Sequence, residues 1–304
     1  MTFNLSTNWN ASRHATGEAM VDEILALGFA GVELGYHLSE IQAEGVRRRV
    51  RSGSLQVGSV HAYAPVPLGA PGGHPELYLL ASRDEDDRVM ATILLQKTMA
   101  FAADMGARVV VVHAGRIPIA PSSSELIESG EEDGITSKRY QKLLQRNQRR
   151  RARQARKYLD ALCRSLDLLL PRAAQLNLTL ALENLPSWEA LPNEDEMLEL
   201  KQRYPTPQLA YWHDMGHGQV RENLGWIRHR ESAERLLPYT AGLHIHDVLP
   251  LALDHLTPPL GKLPFADFAF YGTAPVLRVF EPAPNAPAAA VADGLKYLQQ
   301  TWGN

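Results

Sequence analysis

Eight short runs rich in β-branched and aliphatic residues recur along the 304-residue chain, at 3–6, 31–34, 55–61, 108–113, 178–183, 208–214, 242–246 and 276–281. Each is followed by a loop or by helical periodicity, the alternation of βαβ units in a parallel sheet. Eight such units predict closure into an α/β fold, a single (β/α)8 TIM barrel over residues 1–304. Most of the runs end on a histidine or an acid: His61, His113, Glu183, Asp214 with His217, His244 with His246, and Glu281. In a parallel barrel these ends face one site. Several carboxylates buried together need a cation or protons to neutralise them, so the convergence points to a metal centre.

Residues three and four apart are apolar over 18–27, 39–51, 84–105, 193–203, 222–237 and 288–302, which predicts outer helices. Gly28 and Gly106 suit left-handed caps before the next strand. Two segments depart from this rhythm. The Pro/Gly-rich stretch 64–75 follows a strand and is expected to form a loop over the catalytic face. After 114, a polar loop leads into roughly 35 residues of helical character, about 50 Å if straight. Pro171 should end or kink that helix.

The same long segment carries a charge asymmetry. Residues 138–157 hold ten Lys or Arg and no Asp or Glu, so the rest of the chain is near −13 against an overall −3. The expectation is a basic helical extension after strand 4 that projects past the active-site rim. Cys163 is the only cysteine, which excludes a disulfide framework and a thiolate zinc site. Any metal falls to His, Asp and Glu. Met1 to His14 is polar, and no apolar run approaches the ~20 residues of a membrane span, so a soluble, cytoplasmic protein without a membrane partner is expected.

Strand alternation lets Asp214 point into the barrel while His217, three residues on, reaches back over the site from a loop. His244 and His246 share a face; Asp247 is placed to fix an imidazole tautomer, and His246 reads either as a substrate contact or as a rim hydrogen-bonder.

The segments SVHAY, VVHAG, LENLP, HDMGH, LHIHD, DHLTPPLGKLPFADF and FEP, in this order, resemble the xylose-isomerase-like barrel superfamily of sugar phosphate isomerases, epimerases and endonuclease IV. The resemblance implies a divalent metal bound by Glu183, Asp214, His244 and Glu281, with His217 and His255 near the substrate. Endonuclease-IV-like enzymes hold three zincs with extra histidines matching His61, His113, His217 and His255. Their third zinc also takes an Asp where this chain has Leu253, and the Gly-x-Gly of many epimerases is replaced by Gly261, Lys262 and Leu263. Lys262 reads as a charge for a substrate phosphate or carboxylate, or as a solvated loop lysine.

The leading expectation is a metal-dependent sugar or sugar phosphate isomerase or epimerase that works through an enediolate, with a small carbohydrate-like substrate. Glu183 and Glu281 lie on non-adjacent strands and would serve as acid and base, while His61, His113, His217, His246, His255 and Lys262 contact substrate. The imidazole in the donor set favours Mn, Co or Zn over Mg, and His61 with His113 would serve a second metal. The alternative is a metal-dependent phosphodiesterase resembling an abasic-site endonuclease. Nucleic acid is a disfavoured partner that the basic segment leaves open, because Arg and Gln there lack interleaved aromatics. A barrel that binds without turnover is a third reading, and a homo-oligomer is allowed.

Overall fold

In the computed structural model, which describes residues 1–303, every expected run forms a strand. These are β1 (Asn4–Ser6), β2 (Gly31–Leu34), β3 (Val57–His61), β4 (Val109–Val112), β5 (Thr179–Glu183), β6 (Leu209–Asp214), β7 (Thr240–Ile245) and β8 (Leu277–Phe280). Each pairs in parallel with its neighbours in chain order, and β8 closes on β1 through Asn4 opposite Val279. The helices α1 (Gly17–Ala26), α2 (Glu40–Arg51) and α3 (Glu85–Asp104) start where the side chain of Thr16, Ser39 or Asp84 accepts a first-turn N–H. Gly28 and Gly106 take φ of 92° and 71°, as a left-handed cap requires.

The inner faces of the strands pack Val109, Val111, Ala181, Ala210, Trp212 and Val279 into the barrel's interior. Trp212 lies edge-on beneath His244 with ring centroids 5.1 Å apart, so the indole floors the site. Gly242 on the next strand makes this possible, since a Cβ there would fall 2.2 Å from Trp212 Cζ3. A larger apolar shell joins the strands to the helices.

Two expectations about helices are corrected. After α4 (Ser123–Asp133), α5 (Lys138–Gln175) runs for 38 residues and contains Pro171 without ending there. Its basic half does not project. Tyr140, Leu144, Asn147 and Arg151 are buried, and Tyr140 and Leu144 pack with Leu126, Val220, Leu224 and Val248. Arg151 forks onto Glu196 at 2.6 and 2.8 Å and donates to the carbonyls of Trp188 and Ala190. An inward stripe of few residues is masked in the sequence by the cations around it.

The second correction follows α6 (Glu194–Arg203), where the single helix expected over 222–237 is two, α7 (Met215–Asn223) and α8 (His229–Leu236). Gly225 turns the chain between them at φ 72°. The short α9 (Phe270–Thr273) and the terminal α10 (Ala288–Trp302) complete the shell. Among the described residues, no helix is long and apolar enough to cross a membrane.

Candidate metal centre

Strands β5 to β8 deliver Glu183, Asp214, His244 and Glu281 to one point at the C-terminal mouth of the barrel. One ligand-capable atom from each lies within 4.8 Å of the other three, and all four residues are buried. His244 Nδ1 is 3.1 Å from Glu183 Oε1, 3.1 Å from Glu281 Oε2 and 3.8 Å from Asp214 Oδ2. Three carboxylates and one imidazole in so small a volume fit a divalent cation: with His244 neutral the donors sum to −3, and charge this deep needs compensation.

Neighbouring groups fix each donor. His244 Nε2 sits 3.0 Å from Glu33 Oε1, so with a cation bound its proton would face Glu33 and its Nδ1 lone pair the cluster. Ser59 Oγ donates to the other Glu33 oxygen at 2.8 Å. Asn184 brackets the Asp214 backbone, accepting from its N–H at 2.8 Å and donating to its carbonyl at 2.9 Å. Asp214 Oδ1 accepts the His217 N–H at 2.6 Å, which starts α7 directly after β6. His217 therefore stands on a first helical turn and not in a loop. Asn8 Nδ2 donates to Glu281 Oε1 at 3.4 Å.

Beside the cluster is a cavity of roughly 230 Å3, lined in part by His61, His113, His217 and His255 together with Glu183 and Glu281. His61 Nε2 and His113 Nε2 both lie 3.2 Å from Glu183 Oε2. His217 donates a hydrogen bond from Nδ1–H to the Asn184 carbonyl at 3.0 Å, and burial pushes its pKa down to about 3, which leaves a neutral ring with Nε2 as an acceptor. His255 donates from Nδ1 to the Glu281 carbonyl at 2.9 Å. Burial alone would raise the Glu183 carboxyl, but His244 and His113 hold it well below the usual range. His113 is pushed up to about 9: burial acts downward, and Glu183 and Glu76 outweigh it.

Several sequence expectations are not met. His246 is fully buried behind Asp214, 3.0 Å from its Oδ1, and its Nδ1 accepts the His255 N–H at 2.8 Å; it does not line the cavity, and one of its ring nitrogens lies within 4.8 Å of ligand-capable atoms of His217 and His255. Gly216 leaves room for that ring, since a Cβ would fall 1.9 Å from His246 Cε1. Lys262 is exposed and outside the lining, with only its N–H engaged, 2.8 Å from the Val248 carbonyl. Asp247 fixes no imidazole; its oxygens accept the N–H groups of Val248, Gly261 and Leu263. No residue of the loop 64–75 lines the cavity, and Pro65, Val66, Pro67 and Leu68 line an outer groove beside α3 instead.

Other residues went unrecognised in the sequence. Glu33 supports His244, and Glu76 reaches His113 Nδ1 at 3.3 Å and Arg116 Nε at 2.6 Å. Tyr36 and Arg116 line the cavity. A charged residue inside the apolar run GVEL was the available signal for Glu33; Glu76 and Arg116 carried none.

The sequence pattern of the family described as xylose isomerase-like TIM barrel matches residues 21–270. No curated protein matches the chain. Among solved structures, a D-tagatose 3-epimerase-like protein superposes with a TM-score of 0.72 at 17% identity, covering 100% of this chain and 97% of that one. The 3-keto-D-glucoside 4-epimerase YcjR of E. coli gives 0.71 at 17% identity with 99% of each chain covered. An L-ribulose 3-epimerase gives 0.67 at 15% identity over 100% of this chain and 95% of its own.

Proposed function

The chain belongs to the xylose isomerase-like TIM barrel family, and from that premise we propose that it is a divalent-metal-dependent sugar isomerase or epimerase. The observation that carries the reading is the convergence of Glu183, Asp214, His244 and Glu281 within 4.8 Å, with the His244 tautomer set by Glu33. Manganese, cobalt or zinc suits this donor set better than magnesium, because one donor is an imidazole. When bound there, such an ion supplies polarisation of a substrate carbonyl and lowers the barrier to removing the neighbouring proton.

The protein's own groups do the rest. Glu183 and Glu281 come from β5 and the end of β8, so they flank the cavity from different sides. One can accept a proton from a carbon next to the carbonyl while the other returns it on the opposite face, which is what epimerisation requires. His217 Nε2 and the ring of His255 orient hydroxyls at the mouth. The ketoses and glycosides named for the structural neighbours guide the choice of assay.

Two measurements test this. Protein purified without added metal should hold one divalent ion per chain, and Glu281→Gln should keep the fold while abolishing deuterium exchange from solvent into D-tagatose or D-fructose. Wild-type exchange in that variant would remove Glu281 from the acid/base role.

A phosphodiesterase reading rests on one observation. His61, His113 and Glu183 also bring ligand atoms within 4.8 Å of one another, a second place for a metal. Incision of abasic DNA by metal-loaded protein, lost on Glu183→Gln, would establish that reading in place of the first.

A further inference from the structure

Among the described residues that line the cavity, Arg116 is the one Lys or Arg. Its backbone is fixed by a short antiparallel ribbon, Gly115–Arg116 against Ala190–Leu191. The side chain is 41% exposed, which sets it at the mouth, away from the buried donors. Two of its three nitrogens are taken. Nε donates to Glu76 Oε2 at 2.6 Å and Nη1 to Ser187 Oγ at 2.8 Å, while Nη2 makes no hydrogen bond among the described residues.

Glu76 ties this arginine to the centre. Its other oxygen lies 3.3 Å from His113 Nδ1, and His113 Nε2 lies 3.2 Å from Glu183 Oε2. The segment that brings Glu76 in is itself held. Tyr63 Oη donates to the Tyr78 carbonyl at 2.8 Å, and Gly73 packs so closely on Tyr36 that a Cβ would fall 1.9 Å from its carbonyl oxygen. The Glu76 side chain is only 12% exposed, so its charge acts on Arg116 with little screening by solvent.

Charge and geometry then select the far end of the substrate. With a divalent ion bound and the imidazoles neutral, the ion, Arg116 and the five carboxylates of Glu76, Glu183, Asp214, Asp254 and Glu281 sum to −2. A protonated His113 leaves the balance negative. A phosphoryl group brings about −1.5 to −2 at pH 7 and would be repelled. It would also find no free paired edge on the guanidinium, because the Nε edge and the terminal Nη edge each include a nitrogen already engaged. A single free donor suits one uncharged oxygen.

We propose that Arg116 is a specificity-determining residue: its Nη2 hydrogen-bonds an uncharged oxygen at the distal end of the substrate, and Glu76 cancels the cation so that the site takes a free sugar and rejects the phosphate ester. The assignment rests on the isomerase or epimerase reading above.

Binding and turnover test it separately. Manganese-loaded protein, titrated calorimetrically with D-glucitol and D-glucitol 6-phosphate, which have no carbonyl to react, should bind D-glucitol at least about tenfold more tightly. Arg116→Met keeps the stem and removes the donor, and should weaken D-glucitol about tenfold, the usual contribution of a hydrogen bond from a charged group. Glu76→Gln keeps the shape and frees the cation, so the gap between the two polyols should narrow at least about threefold. A merely structural Glu76 would weaken both alike, and an undiminished gap would overturn its role. With D-fructose or D-tagatose as substrate, Arg116→Met should raise KM about tenfold and leave kcat within about twofold. Tighter binding of the phosphate ester to the wild type, no binding of either polyol, or D-glucitol affinity unchanged in Arg116→Met would overturn the assignment. D-glucitol bound through Arg116 with no ketose turned over would keep the subsite and remove the isomerase reading; turnover with a KM indifferent to Arg116 would do the reverse.

Discussion

Glu33 holds the proton-bearing side of His244 from within the barrel, 3.0 Å from Nε2. Its removal should weaken metal binding without touching a ligand. Glu33→Gln keeps shape but loses charge and should cost about tenfold in affinity, and Glu33→Ala, which also frees the ring, should approach a hundredfold. Calorimetric titration with manganese checks both, and wild-type affinity in the Ala variant would end the supporting role. The contrast with Glu183 shows what was legible in sequence. Glu183, Asp214 and His244 stand in the final residues of strand-like runs, and Glu281 follows its own directly, so position alone announced them. Glu33 is flanked by Val32 and Leu34 and interrupts its run, while Glu76 meets His113 from 37 residues away. Partnerships across the chain have no local period, and only closure of the barrel reveals them.

Among the elements, the strands were readable because eight apolar runs had to be buried on both faces, whatever the helices did. The long helix α5 was legible in extent and misread in placement. Its cations dominate the sequence, yet Arg151 is buried and bidentate to Glu196. Arg151→Ala should therefore destabilise by about 3–5 kcal/mol, since it strands a carboxylate and two carbonyls. Arg146→Ala, at an exposed position of the same helix, should stay within about 0.5 kcal/mol. Urea unfolding of the two variants decides it, and equal midpoints would show that α5 is held by its apolar stripe alone.

Across the whole molecule, charge and stability meet at the candidate centre. The basic half of α5 lies against α4, where Glu132 and Asp133 pair with Arg139 at the surface, so part of the apparent basic field is balanced by neighbouring acids. At the centre the balance runs the other way. Glu183, Asp214, His244 and Glu281 belong to the ends of β5 to β8, half of the barrel, and their carboxylates repel unless a cation joins them. A metal that binds only the folded chain stabilises it by about 2.7 kcal/mol at a hundredfold excess over Kd. For 304 residues each kcal/mol moves Tm by roughly 1.5–2 °C. Chelation should then lower Tm by about 4–5 °C. Added manganese should restore it, and Asp214→Asn should shrink the difference, because that variant loses a donor and part of the repulsion together. A Tm indifferent to both chelator and manganese would mean that protons on His244 and His113 already neutralise the cluster, and the metal-dependent reading would fall with it.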